Sequence, residues 1–370
     1  MRTRYSCLAA LFLLFAIGCG KKGIEEKKIG AVLPLTGSIA QYGKYMQQGL
    51  ELALDDAINK GLIKPNEIKL VVEDGEANPA KSVDAFMKLV NVDKIIGVIP
   101  ATSGVILAIK PIANEKKVVL LNASAISTQI EDSSDYCFSV LPNASVEGKF
   151  LAEFSYNTLS KRNAGVLYRN DPSGKSFHEN FVQKFRELGG TIVYEEAHQP
   201  ELNDFRSHIS QIHSIKFLDL LFVASFGPEV ATYVRQATEL GLKTQVITYE
   251  TFNSPKVLEI AGTSANGVLF CANNFDPNSN DPIINELKEK VLKKFNQSEV
   301  NYYIASHYDA MMLLITAIAN NNQTGESIRN YLKSLRVYNG MTGQIQFDKN
   351  GGATIPLSIY TVRNNKFVRY

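Results

Sequence analysis

Histidine is scarce, with five in 370 residues: His178, His198, His208, His213 and His307. His208 and His213 stand five apart, so a helix would not bring them to one face as an i,i+4 ligand pair. Neither HExxH nor a cluster of Cys and His occurs, and a dedicated zinc site finds no support. The chain lacks a Walker glycine-lysine loop, a GxGxxG after its first predicted strand, and a GxSxG elbow. Ser173-Gly174-Lys175-Ser176 comes nearest to a phosphate loop. Without the preceding glycine framework it reads as a solvated turn capping the next helix. No nucleophile–base set remains, which argues against an enzyme, and no cofactor is implied. Charge of one sign is also missing, with 39 Lys+Arg against 37 Asp+Glu. That balance gives no basic footprint for nucleic acid. At 45% hydrophobic and 21% charged, with 25 glycines and 13 prolines, the composition is that of a folded protein.

Long apolar runs are few. Leu8 to Ile17 is unbroken but too short to cross a bilayer, and it follows Arg2 and Arg4 as a signal-peptide core follows its positive n-region. Ala16-Ile17-Gly18-Cys19 comes next, then a hydrophilic stretch from Lys21 to Lys28. This resembles a bacterial lipoprotein signal, with Ala16 where leucine is usual. It implies a signal peptide over 1–18, lipidation of Cys19, a charged tether over 19–27 and an exported, lipid-anchored protein. Ordinary secretion with an incidental cysteine is the alternative. Met311 to Ile318 is shorter still and reads as one face of a buried helix. Of four cysteines, Cys137 and Cys271 remain for the mature fold, and an exported compartment permits them to pair without requiring it.

From Lys28 onward, short apolar runs alternate with amphipathic stretches. Ile29 to Leu33 reads as a strand, and Met46, Gly49, Leu50, Ala53, Leu54, Ala57 and Ile58 follow at helical spacing. Strands are expected at Ile68 to Val72, Ile95 to Ile99 and Val118 to Leu121, with helices between them. The pattern restarts after Pro142 and runs through strands at Ala164 to Tyr168, Thr191 to Tyr194, Phe217 to Val223 and Val246 to Thr248. Helices follow over roughly 282–294, 301–320 and 325–335. Two strand-like pieces in the tail are divided by Asn350-Gly351-Gly352. The fold class is α/β, with mostly parallel sheets covered on both faces. About 350 residues exceed what one core usually holds, so two lobes are expected.

Ile29-Gly30-Ala31-Val32-Leu33-Pro34-Leu35-Thr36-Gly37, with Ala40-Gln41-Tyr42-Gly43, Gly49, Leu52-Ala53 and Asn59, resembles the opening of the periplasmic leucine/isoleucine/valine-binding protein family. The similarity continues through Gly97 to Pro111, Phe138-Ser139-Val140-Leu141-Pro142 and Arg235 to Leu242. It returns at Tyr308-Asp309-Ala310, Gly340-Met341-Thr342-Gly343 and Phe347-Asp348. The resemblance implies a type I periplasmic binding protein, with two Rossmann-like lobes joined by three crossovers and a solute held between them. One lobe would combine 28–138 with 275–343, the other 139–272 with 344–370. The implied function is the extracytoplasmic solute-binding component of an amino-acid-type ABC transporter, with permease subunits as partners. A sensor reporting the solute to a signalling partner is the alternative.

The same resemblance implies site residues. Ser103 matches a serine that meets the ligand carboxylate, and it equally suits a helix cap. Ser124 falls at a backbone-contact position, and Tyr42 walls the side-chain pocket. Glu250, just after a strand, matches the receiver of the ligand ammonium. Ser173 stands where a tyrosine is usual and Ile126 where a threonine is, which moves specificity away from leucine and leaves other amino acids, amides or small carboxylates open. Phe226 and Phe275 are candidate apolar walls. Cys137 and Cys271 would lie on neighbouring crossover strands, either as a hinge disulfide or as two small buried residues.

Overall fold

A computed structural model describes residues 26–131, 136–273, 275–277 and 279–370. Cys19, the expected signal over 1–18 and the tether as far as residue 25 lie outside them. The chain opens with β1 (Lys27–Leu33), α1 (Ala40–Asn59), β2 (Ile68–Asp74), α2 (Pro79–Lys88), β3 (Gly97–Pro100), α3 (Ser103–Glu115), β4 (Val119–Asn122) and β5 (Cys137–Ser139). These strands form a sheet in the order β2-β1-β3-β4-β5, with every neighbouring pair parallel. In β1, Ile29, Ala31 and Leu33 enter one core and Val32 the core on the opposite face. A strand covered on both sides must be apolar throughout, which is how Ile29 to Leu33 reads in the sequence.

A second series follows: α4 (Ala144–Glu153), β6 (Asn163–Arg169), α5 (Pro172–Glu187), β7 (Thr191–His198), α6 (Arg206–His213), β8 (Leu220–Ala224), α7 (Gly227–Glu239), β9 (Gln245–Thr248), α8 (Pro255–Ala261) and β10 (Leu269–Asn273). The chain then returns to the first sheet through α9 (Pro282–Phe295), α10 (Tyr302–Ala319) and α11 (Gly325–Ser334), whose Leu287, Ile315 and Ile328 join the core around α1. It ends with β11 (Val337–Gly340), β12 (Gly343–Phe347), β13 (Ala353–Thr354), β14 (Leu357–Arg363) and β15 (Lys366–Arg369). β14 and β15 complete a seven-stranded sheet in the order β15-β14-β10-β9-β8-β6-β7, in which β14 alone runs antiparallel to the rest. The chain thus passes between two α/β lobes three times: after β5, after β10 and before β14.

Two details differ from the sequence reading. Ile345 of β12 and Ala353 of β13 are buried in the first lobe's core, as is Ile355, although 344–370 was expected to belong to the second lobe. α10 is buried nearly all round from Ile304 to Ile318, not along one face, which is why its sequence is so uniformly apolar. It lies so close to α1 that a Cβ on Gly49 would stand 2.2 Å from the Ile304 carbonyl oxygen.

The turn at Gly340-Met341-Thr342 is pinned to α10 by Asp309. Its carboxylate accepts from Met341 N at 2.7 Å, Thr342 N at 2.9 Å and Thr342 Oγ1 at 2.7 Å. Two short motifs far apart in sequence are thereby one buried joint.

Candidate functional site

The βα loops at the carboxyl ends of both parallel sheets face one another across a cavity of about 690 Å³. This is where open α/β sheets place their ligands. The first lobe contributes Tyr42, Thr102, Ser103, Ser124 and Ile126, the second Arg169, Ser173, Phe226, Tyr249 and Thr251, and α10 adds Tyr303.

Ser103 is the first residue of α3 and is 3% exposed. It does not cap its helix: Thr102 occupies the cap without a side-chain bond. The Ser103 hydroxyl oxygen instead accepts from Ile126 N and Ser127 N, each at 3.2 Å, and from Ser173 Oγ at 2.9 Å. It therefore ties its own loop to the next one and to the opposite lobe. Thr102 has φ +69°, a backbone region costly for a β-branched residue, at the point where the chain turns into α3. The first-turn N–H groups of α3 have no earlier carbonyl within the helix to serve, which suits an anion there.

Ser124 sits in a loop organised by Asn122. The Asn122 Oδ1 accepts from Ser124 N at 3.2 Å and Ala125 N at 2.8 Å, while its Nδ2 donates to Ala125 O at 2.7 Å and Ser139 Oγ at 3.0 Å. The Ser124 hydroxyl is buried and makes no hydrogen bond. In the second lobe, Asp171 caps α5 by accepting from Gly174 N at 2.8 Å, which presents Ser173 to Ser103. A Cβ at Gly174 would lie 2.1 Å from the Arg169 carbonyl oxygen, so this loop closes only on glycine. Beside it, Arg169 Nε lies 2.8 Å from Asp171 Oδ2, and Arg169 NH1 lies 3.2 Å from Glu229 Oε1. Farther out, Ser38 Oγ donates to Glu201 Oε1 at 2.5 Å, another bond between the lobes.

Three rings form an aromatic wall. Tyr42 meets Phe226 edge-on at 5.0 Å and Tyr303 at 5.1 Å between centroids. Tyr42 and Tyr303 also line a second, much smaller cavity of about 10 Å³, on which Glu250 and Tyr302 lie. Glu250 therefore does not share the large cavity with Ser103, as the resemblance implied, because the two tyrosines stand between them. The Glu250 Oε2 accepts from Asn273 N at 3.1 Å, while Oε1 is buried without a partner. Burial pushes its pKa up from 4.5 to about 8.

Two other expectations are corrected. Phe275 does not line the cleft. Asn273 Oδ1 accepts from its N–H at 2.9 Å, and the ring is 4% exposed in the first lobe's core, edge-on to Tyr302 at 6.3 Å. Cys137 and Cys271 form no disulfide. They sit on β5 and β10, in different sheets and different cores, and the Cys271 thiol donates to Glu147 Oε2 at 3.5 Å. Thr102, Arg169, Tyr303 and Glu147 carry no local signal in the sequence, whereas Asn122 has that of an asparagine opening the turn that holds Ser124. Among the described residues, no cluster of His, Cys, Asp and Glu could hold a metal ion, and no helix is long and apolar enough to cross a membrane.

Two α/β lobes linked by three crossings, with a polar cavity between their loop edges, define a type I periplasmic-binding fold. A family model described as periplasmic binding protein matches residues 26–366, and the chain belongs to that family. It is similar to Leu/Ile/Val-binding protein homolog 2 of Brucella abortus, 25% identical over 376 residues, covering 98% of this chain and 96% of that one. Among solved structures, a leucine-binding protein from Thermotoga maritima aligns with a TM-score of 0.83 at 24% identity, covering 93% of this chain and 97% of that chain. A solute-binding protein of an ABC transporter from R. palustris, in complex with benzoate, aligns with a TM-score of 0.82 at 17% identity, covering 93% and 95%.

Proposed function

We infer that the protein captures a small amino acid, or a closely related polar carboxylate or amide, and delivers it to an ABC transporter on the extracytoplasmic side of the membrane. Lipidation of Cys19 would tether it there. The observation that carries this reading is the polarity of the cleft. One end offers the α3 N-terminus with the Ser103 and Ser124 hydroxyls, and the other leads past the tyrosine wall to a carboxyl with an unused oxygen. A solute carboxylate would sit on the first, where free N–H groups and the helix dipole favour negative charge. Its ammonium would take the Glu250 side once the Tyr42 and Tyr303 rings turn aside. Ile126 and Ser173 supply less polar grip and less aromatic wall, which favours a solute other than leucine.

The mechanism follows from the lobes. Solute would bind one loop edge first and recruit the second, and closure is favoured only by the difference in its affinity for closed and open forms. Moving a receptor from 1:99 to 99:1 closed takes roughly a 10⁴-fold difference. Permease subunits would then read the outer faces of the closed pair. A thermal-shift screen against amino acids, short amides and small carboxylates tests the reading, because a ligand stabilises the native state by mass action. A solute that raises the melting temperature, with the rise largely lost in Glu250→Gln, is the expected result. An undiminished rise in that variant would reject the ammonium assignment.

A further inference from the structure

The second-lobe wall of the cleft carries one cationic side chain. Arg169, the last residue of β6, is the single lysine, arginine or histidine among the described residues that line the large cavity. Its Nε stands 2.8 Å from Asp171 Oδ2 and its NH1 3.2 Å from Glu229 Oε1, and both acids line the same cavity. Yet Nε is buried without a hydrogen bond, so its contact with Asp171 is one of charge and lacks the direction that a bond requires. A guanidinium holds its N–H donors in a rigid fork, and this one is fixed in place with Nε unused. The loop that starts at Arg169 reaches Ser173, whose hydroxyl meets Ser103 at 2.9 Å. One loop therefore carries both the guanidinium and the contact to the end proposed for the solute carboxylate.

The charges around Arg169 cancel. Glu229, in the first turn of α7 and 7% exposed, accepts from Glu201 N at 2.6 Å through Oε1 and meets the Ser225 hydroxyl through Oε2. Ser225 Oγ lies 3.0 Å from His198 Nε2, and His198 Nδ1 lies 2.8 Å from Gln199 O. A carbonyl oxygen only accepts, so Nδ1 carries a proton. The Ser225 hydroxyl has one proton for two neighbours. Given to Glu229, it requires an imidazolium opposite a carboxylate. Given to His198, it requires a neutral imidazole and a protonated Glu229. In either arrangement His198, Ser225 and Glu229 together carry no net charge. Asp171, whose Oδ1 accepts from Gly174 N, cancels Arg169. Glu76 and Glu201, at the exposed rim, are taken up by Lys81 and Ser38. The wall at Arg169 is thus neutral, with N–H donors and carboxyl acceptors side by side.

We propose that Arg169, with Asp171 and Glu229, is a specificity subsite of the cleft, and that it selects an amino acid whose side chain ends in a carboxamide. This rests on the reading of the protein as an amino-acid receptor. A carboxamide has a carbonyl oxygen to accept from the guanidinium and an NH2 group to donate to the carboxyls beside it, so both halves of the subsite are served at once. A side-chain carboxylate would bring a negative charge and no donor to face two carboxyl groups. A side-chain ammonium would bring a like charge against Arg169. A leucine side chain would take water from the guanidinium and the carboxyls and leave them unpaired.

Calorimetric titration of the purified protein at pH 7.5 tests this, with L-glutamine and L-asparagine set against the other proteinogenic L-amino acids. One of the two amides should bind tightest, with glutamate, lysine and leucine at least about 100-fold weaker, since a site built for hydrogen bonds rejects analogues that lack them. Arg169→Met keeps the length of the side chain and removes the fork. It should weaken the amide roughly 100-fold while changing leucine by less than about threefold. Arg169→Lys keeps the charge without the fork and should still bind the amide at least about tenfold more weakly than wild type. Circular dichroism melting identifies which variants are folded, and either one suffices. Amide selectivity unchanged in a folded variant, or an amino acid without a carboxamide bound by wild type as tightly as either amide, would overturn the subsite while leaving the receptor reading in place. No binding of any amino acid would overturn both.

Discussion

Replacing Glu250 with glutamine should make the ligand-free protein more stable in alkali, although the substitution removes a site residue. The Glu250 carboxyl oxygen Oε1 is buried without a partner, and the group's pKa rises from 4.5 to about 8 on folding. A carboxyl with a higher pKa in the folded state takes up a proton as the chain folds within that window. Its contribution is fully present below about pH 4.5 and is lost as pH climbs through 8. At about 1.4 kcal/mol per unit, the loss is on the order of 5 kcal/mol at pH 9. Glutamine resembles the protonated acid in shape and never ionises. Wild type and Glu250→Gln should therefore unfold at similar urea concentrations at pH 5, within about 1 kcal/mol. They should diverge as pH rises, with the variant ahead by several kcal/mol at pH 9. Urea titrations followed by circular dichroism at five pH values, without solute, make the comparison. Parallel curves for the two proteins across the range would refute the reasoning, since an exposed or paired carboxyl would give that result.

Asp309→Ala should cost about 3 kcal/mol, because it strands the buried Thr342 N–H and hydroxyl and the half-buried Met341 N–H that the carboxylate now receives. Chemical unfolding at neutral pH reads this, and a change under 1 kcal/mol would show that the joint is not buried. Intact mass of the protein should be identical before and after reduction, since Cys137 and Cys271 lie in separate sheets. A two-dalton gain on reduction would contradict that placement.

Much of the architecture was legible because parallel strands covered on both faces have no choice but to be apolar. β1 and β8 show it, each sending alternate residues into opposite cores. α1 was legible for the complementary reason, since its Met46, Leu50, Ala53 and Ala57 fall on one buried face. β12 shows where such reading stops. Gln344-Ile345-Gln346 announces one buried residue in three, but alternation says nothing of which lobe buries it, and Ile345 went to the first. At the site, Tyr42, Ser103, Ser124, Ser173 and Phe226 do come together on one cavity. Phe275 does not, because Asn273 turns the chain and drives the ring into the core. The separation of Glu250 from Ser103 depends on how two tyrosine rings lie, which residue order does not record. Glu147 was invisible for a similar reason: an acid in a helix's first turn ordinarily faces water, and only the packed structure reveals its burial against Cys271.

A crystal structure of the protein grown with its best-stabilising amino acid bears most directly on the claim that solute is held between the lobes. The account predicts the solute in the cleft, its carboxylate on the first turn of α3 beside Ser103 and Ser124, its amino group against Glu250, and the Tyr42 and Tyr303 rings turned from their present positions. A solute bound outside the cleft, or one that leaves Glu250 sealed behind an unmoved tyrosine wall, would contradict it.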